Sequence, residues 1–193
     1  MSIRQELAQF CAELTYDSLP ADVIEYTKFC FLDHVACMLA APGAFADEFP
    51  APDIAKFIQL LGGKEESGIL GWGGKFPSLH ATFTNTAMCF SGFDAFHKKG
   101  MVHAQVTLFP AATAVAERQQ ASGKELLMAL VLGTEVMARV GMALDTAAIY
   151  KRGFHPTALC APLGCAIAAG KLLGLGQAEL AEALSLAAIQ GAG

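Results

Sequence analysis

The sequence predicts an all-α fold, and three observations carry that expectation. Apolar residues recur at helical spacing along almost the whole chain, serine-led capping boxes and first-turn prolines punctuate them, and one short stretch alone has extended character. No internal repeat, low-complexity tract or linker interrupts the pattern, so residues 1–193 are expected to form a single helical domain.

Taken in order, Ser2 and Gln5 form a capping box ahead of Leu7, Phe10, Cys11 and Leu14, which recur along one helical face. Pro20 stands where first-turn prolines belong. It opens a long second helix marked by Val23, Ile24, Thr27, Phe31, Val35 and Met38 and expected to end at Ala41-Pro42-Gly43. A loop follows to Pro52, then a shorter helix carrying Ile54, Phe57, Ile58 and Leu61, closed by Gly62-Gly63. Residues 68–74 resemble a strand, but their glycines make them an extended connector. Further helices are expected from Leu79 to Phe90, Leu108 to Gln120 and Lys124 to Leu144, the last opened by a second capping box at Ser122 and Glu125. Two more run from Pro156 to Leu173 and from Gln177 to Ile189. The final residues stay apolar with no polar tail, as expected of a helical domain incomplete at its C-terminus or of a last helix that docks on another subunit.

Composition narrows the function classes. Hydrophobic residues make up 54% and charged residues 16%, where roughly 25% charged is typical, so an intrinsically disordered chain is excluded. The net charge of −5 argues against a nucleic-acid partner, which needs a basic face to displace counterions. A domain of this size buries ~70% of its unfolded-chain surface and needs neither disulfide nor metal to hold a core. The six cysteines show no CxxC pair and sit mostly in apolar helical stretches, which predicts reduced thiols and no metal centre. The N-terminus is too polar to start a signal peptide, so a cytoplasmic location is expected. The longest uncharged stretch, Gly153 to Gly170, contains Pro156 and Pro162 and suits a buried core helix better than a membrane span. Apolar content beyond what one small domain can hide predicts a homodimer.

Two segments concentrate ionisable side chains against this background. In the first, residues 93–103, Asp94 and His97 are three apart and would share a face on a helical turn. His103 follows a break at Gly100 and is free to point back at Asp94. A carboxylate beside imidazoles is a common general acid or base; the alternative is a solvated loop with helix-end charges. One Asp and two His at irregular spacing make a weak metal signal. In the second, residues 150–157, Pro156 suits the first helical position and places His155 at the cap. A helix N-terminus attracts anions, and Lys151 and Arg152 add cations beside it, so a small carboxylate could sit there. The alternative is an ordinary capped helix start with its basic residues in water.

Arg152-Gly153-Phe154-His155-Pro156-Thr157, followed by Ala161-Pro162-Leu163-Gly164-Cys165-Ala166 and Lys171-Leu172-Leu173-Gly174-Leu175, resembles the central signature of the MmgE/PrpD family. The opening residues agree, at Leu7-Ala8-Gln9-Phe10, Tyr16-Asp17-Ser18-Leu19-Pro20 and Lys28 through Leu32-Asp33. Asn85-Thr86-Ala87 and Phe93-Asp94 resemble the family's run NGA…HALDFDDTH, with departures: Cys89 stands at its His, Ala95 at its second Asp, Phe96 at its Thr and Ala104 at the usual following Pro. The resemblance covers essentially the whole chain. It implies the helical domain of a fold that also has a smaller α+β lid, absent here together with a later lysine segment, and dimers as the usual assembly. It also implies cofactor-free chemistry in which a carbanion is made or protonated next to a carboxylate, as in dehydratases, decarboxylases and epimerases of di- and tricarboxylates.

By position, the resemblance places Asp94, His103 and His155 in the pocket, with Tyr150 a weaker candidate. His155 would accept a proton, His103 would donate one, and Lys151, Arg152 and His97 would bind substrate. The expected function is a lyase or isomerase on a small carboxylate, or alternatively a non-catalytic truncated or half-protein stabilised by oligomer formation.

Overall fold

The computed structural model describes residues 2–44, 51–89, 95–191 and 193. Among these, nine α-helices account for nearly all regular structure, and the all-α expectation holds. Helix α1 (Ile3–Glu13) starts on the expected box: the Gln5 backbone N–H donates to Ser2 Oγ, and the Ser2 N–H donates to Gln5 Oε1 at 2.9 Å. A short 3-10 turn, Tyr16–Ser18, leads into α2 (Ala21–Ala44), which runs one residue past the expected end at Ala41-Pro42-Gly43. Then come α3 (Ala51–Leu61) and two two-residue strands, β1 (Ser67–Gly68) and β2 (Lys75–Phe76), paired antiparallel around the glycine-rich connector. Helices α4 (Ser78–Cys89), α5 (Ala104–Gln119), α6 (Gly123–Ala143), α7 (Thr146–Lys151), α8 (Pro156–Leu172) and α9 (Gln177–Ala188) complete the chain.

The centre of the bundle is the contact between α6 and α8, flanked by α5. The two central helices meet backbone to backbone at Gly133 and Gly164. A Cβ on Gly164 would fall 2.7 Å from the Gly133 carbonyl oxygen, and one on Gly133 would fall 2.9 Å from the Gly164 oxygen. Around this crossing, Leu108, Phe109 and Ala112 of α5 pack with Leu130 and Met137 of α6 and Cys160 and Ala168 of α8. A second cluster joins the chain's two ends: Ala8 and Cys11 of α1 lie against Leu180, Ala181 and Leu184 of α9, over Leu132, Val136 and Ile167. The Lys171 ammonium seals that junction. It donates to the carbonyls of Cys11, Ala12 and Leu14 at 3.0, 2.9 and 3.0 Å, which would otherwise be left open where α1 ends.

Side chains pin down the connector that sequence alone leaves extended. Asn85 accepts the Leu70 N–H on Oδ1 and donates from Nδ2 to the Gly68 carbonyl, both at 3.0 Å. Glu66 caps α4 by accepting the Ser78 hydroxyl at 2.6 Å and its N–H at 3.1 Å, and these two bonds hold the carboxyl below the usual glutamate range. Helix α6 is long and apolar enough to cross a membrane by length and composition, yet half of that stretch is buried in the bundle.

Three expectations need correction. Helix α5 begins at Ala104, four residues before Leu108, because Ala104, Gln105 and Val106 are buried along with the face that follows. Helix α7 was not expected; at six residues it is too short to show a period, and the Asp145 side chain starts it by accepting the Ala148 N–H at 3.1 Å. Residues 95 and 96 are not helical, and His97 pairs with Val102 in an isolated bridge, so His97 itself stands on a turn and not on a helix. Asp94 itself, like Phe90 and Phe93, lies outside the described residues.

Candidate functional site

The N-termini of α5 and α8 converge, and each is capped by a histidine. His103 precedes Ala104, and His155 precedes Pro156, whose fixed φ suits the first helical position. Neither imidazole bonds to the N–H groups of its own helix end. Their centroids lie 6.4 Å apart with planes inclined by 27°, a stacked pair. A long-range bond ties the two caps together: the His103 backbone N–H donates to Thr157 Oγ1 at 3.0 Å. Thr157 is buried in the first turn of α8.

Two more rings complete the cluster. Tyr150, near the end of α7, stands edge-on to His155 with centroids 5.7 Å apart and planes at 87°. The chain can reverse from α7 into α8 within four residues because Gly153 takes φ +86°, a region costly for any residue with a Cβ. Phe96 lies against His103 at 4.8 Å.

The turn that delivers His103 is itself fixed by His97. The His97 N–H donates to the Val102 carbonyl at 2.9 Å, and its Nδ1 accepts the Gly100 N–H at 3.0 Å. Gly100 seats this turn on α6, where a Cβ would fall 2.9 Å from the Ala138 carbonyl oxygen. His97 thus builds the turn and lines a neighbouring cavity that does not include His103 or His155.

Of the candidate residues, the structure brings together His103, His155 and Tyr150. Lys151 and Arg152 are exposed at the C-terminal end of α7, where cations complement the helix dipole, and neither makes an ion pair among the described residues. Sequence reasoning missed Thr157, whose role depends on a partner 54 positions away, and treated Phe96 only as a departure from the family pattern. It also missed His34 of α2, which is 2% exposed. The His34 Nδ1 lies 3.2 Å from Cys89 Sγ, and the Phe109 ring stands edge-on at 5.4 Å. Burial pushes the His34 imidazole down to about 4. Among the described residues no group of three His, Cys, Asp or Glu side chains could hold a metal ion.

Chemically, the cluster offers two imidazoles and a phenol at the positive ends of two helices. Such a set can hold an anion and exchange protons with it.

Comparison with known proteins gives the family of the chain. A model of the MmgE/PrpD N-terminal domain matches residues 5–193. Mouse cis-aconitate decarboxylase is 33% identical over 195 residues, covering 96% of this chain and 38% of the mouse protein. The human protein of that name is 34% identical over 119 residues, 58% of this chain and 24% of its own length. The Aspergillus terreus protein of that name is 29% identical over 200 residues, 99% of this chain and 39% of its own length. The chain therefore spans about two-fifths of the length of such relatives, over the helical part that carries both histidine caps. It belongs to the MmgE/PrpD family.

Proposed function

We propose that this chain supplies the acid–base imidazoles of a lyase acting on a small di- or tricarboxylate, of the decarboxylase type named in its relatives. The observation that carries this reading is the pair of histidine caps, held 6.4 Å apart at two helix N-termini. A carboxylate of the substrate would sit at those ends, where open N–H groups and partial positive charge favour it. Loss of CO2 from a neighbouring carbon leaves an electron pair there, and a proton from an imidazole completes the product. In a dehydration the same pair would divide the work, one ring taking the proton and the other protonating the departing hydroxyl. We assign donation to His103 and acceptance to His155, with Tyr150 steadying His155. Asp94 would orient an imidazole, and Lys151 and Arg152 would draw the anion to a chain whose net charge is −5, whereas His97 builds the turn that delivers His103.

The test is a titration of the chain with cis-aconitate and with 2-methylcitrate, following the histidine ring protons by NMR and product formation in parallel. The His103 and His155 resonances are expected to move together and saturate. Where turnover is measurable, His103→Ala or His155→Ala should lower it by roughly a hundredfold, the usual contribution of a general acid or base. Resonances that stay fixed, or turnover indifferent to both substitutions, would refute the assignment.

A second reading is favoured by a different observation. Tyr26, Phe29, Leu32 and Leu39 of α2 and Leu79 and Phe83 of α4 are all more than half exposed. Apolar surface of this kind marks an interface, which suits a cytoplasmic homodimer in which the chain is held by association and does no chemistry. Light scattering that finds a monomer at micromolar concentration would remove that reading.

A further inference from the structure

We propose that the cleft between α2, α5, α6 and the turn at residues 95–97 binds a neutral, mainly apolar small molecule bearing one carbonyl-type acceptor. The site is distinct from the imidazole pair, and the proposal does not rest on the carboxylate reading. The cavity holds about 410 Å³, within the ordinary range of small-molecule sites. Val23, Cys30, Phe96, Ala104, Phe109 and Val131 make its walls chiefly apolar.

Gln105, on the first turn of α5, sets the polar requirement. It is 4% exposed, and its Oε1 accepts the Ala95 N–H at 3.3 Å. Its amide nitrogen is buried, and the group it meets is the Cys30 thiol, a poor acceptor for one of its two N–H groups. Buried donors are nearly always satisfied, because an open one carries its full desolvation cost. A ligand oxygen placed here would recover that cost. The Thr27 hydroxyl does not compete for it, since it donates to the Val23 carbonyl at 2.8 Å.

Charge decides which oxygen fits. Among the described residues no lysine or arginine lines the cavity, whereas Asp22 and Glu135 do, and the His97 Nδ1 there is taken up by the Gly100 N–H. A carboxylate would lose its water beside like charges and gain no cation in return. An amide or ketone carbonyl meets Gln105 without that penalty. Phe96 belongs to the cavity wall and also lies 4.8 Å from His103, so occupancy can be read at the His103 ring.

The experiment titrates the chain with hydrocinnamamide and with hydrocinnamate, a pair matched in size that differs in charge. Hydrocinnamamide should bind saturably and shift the His103 ring proton, and hydrocinnamate should bind this cavity at least about tenfold more weakly. Gln105→Leu keeps the volume and should weaken the amide about tenfold. Thr134→Trp fills the cavity from α6 and should abolish binding with helicity retained. Absence of saturable amide binding, equal affinity for the carboxylate at this cavity, or amide binding unchanged in Thr134→Trp overturns the proposal. If Gln105→Leu does not fold, the matched ligands and Thr134→Trp still decide it. Failure here leaves the cis-aconitate titration unaffected, because that experiment reads the histidine caps.

Discussion

Acid should destabilise this protein through one residue far from the histidine caps. His34 is 2% exposed, enclosed by Phe31 and Phe109, with Cys89 at its Nδ1 and Glu117 on the wall of the same neighbouring cavity. Burial lowers its pKa from 6.5 to about 4. Between those values the unfolded chain binds the proton and the folded chain does not, so stability rises with pH and is lost as pH falls from 6.5 toward 4. The whole window is worth about 3 kcal/mol, and about 2 kcal/mol of it separates neutral pH from roughly pH 4.5. Urea unfolding at those two pH values measures the difference directly. His34→Leu keeps an apolar side chain but cannot be protonated, so about 2 kcal/mol of the acid-induced loss should disappear in the variant. If wild type and variant lose equal stability over the same interval, the burial argument is wrong. The other four histidines are common to both proteins and cancel in the comparison.

Further outcomes follow from the packing. Lys171→Met keeps the aliphatic stem but removes three charge-assisted bonds at the end of α1, and chemical denaturation should show a loss of about 2–4 kcal/mol. Gly164→Val pushes a side chain into the Gly133 carbonyl and should lower stability by about 2–4 kcal/mol, read from the thermal midpoint. Burial raises the thiols of Cys11 and Cys160 to about 11 and that of Cys165 to about 12. Mass spectrometry after iodoacetamide treatment near neutral pH should therefore find these three unlabelled in the native chain, and all six cysteines labelled once it is denatured.

What could be read in the sequence was local. Both serine capping boxes and the His155–Pro156 start of α8 are written within four residues, and the structure realises each one. The start of α5 was not legible, because His103 caps it without a side-chain bond and the helix signal begins only at the apolar run beyond. The two histidines stood out as ionisable residues in apolar surroundings, but nothing local announced that Thr157 would tie one cap to the other. In that bond a backbone N–H donates to a hydroxyl oxygen 54 residues away, a contact with no period and no motif. Gln105 was silent for a related reason: a glutamine at a helix start looks solvent-bound until the fold buries it to 4% exposure.

The seam between α1 and α9 has a consequence for how the chain is made. Ala8 and Cys11, both fully buried, rest on Leu180 and Leu184, and Arg4 reaches Glu182 and Ser185. At ribosomal rates of about 5–20 residues per second, the first helix emerges roughly ten to thirty seconds before its partner exists. During that interval the part of its apolar face that α9 covers stays open. A chaperone that recognises short amphipathic segments would find its target at α1 on the nascent chain, and release would be timed by translation of α9.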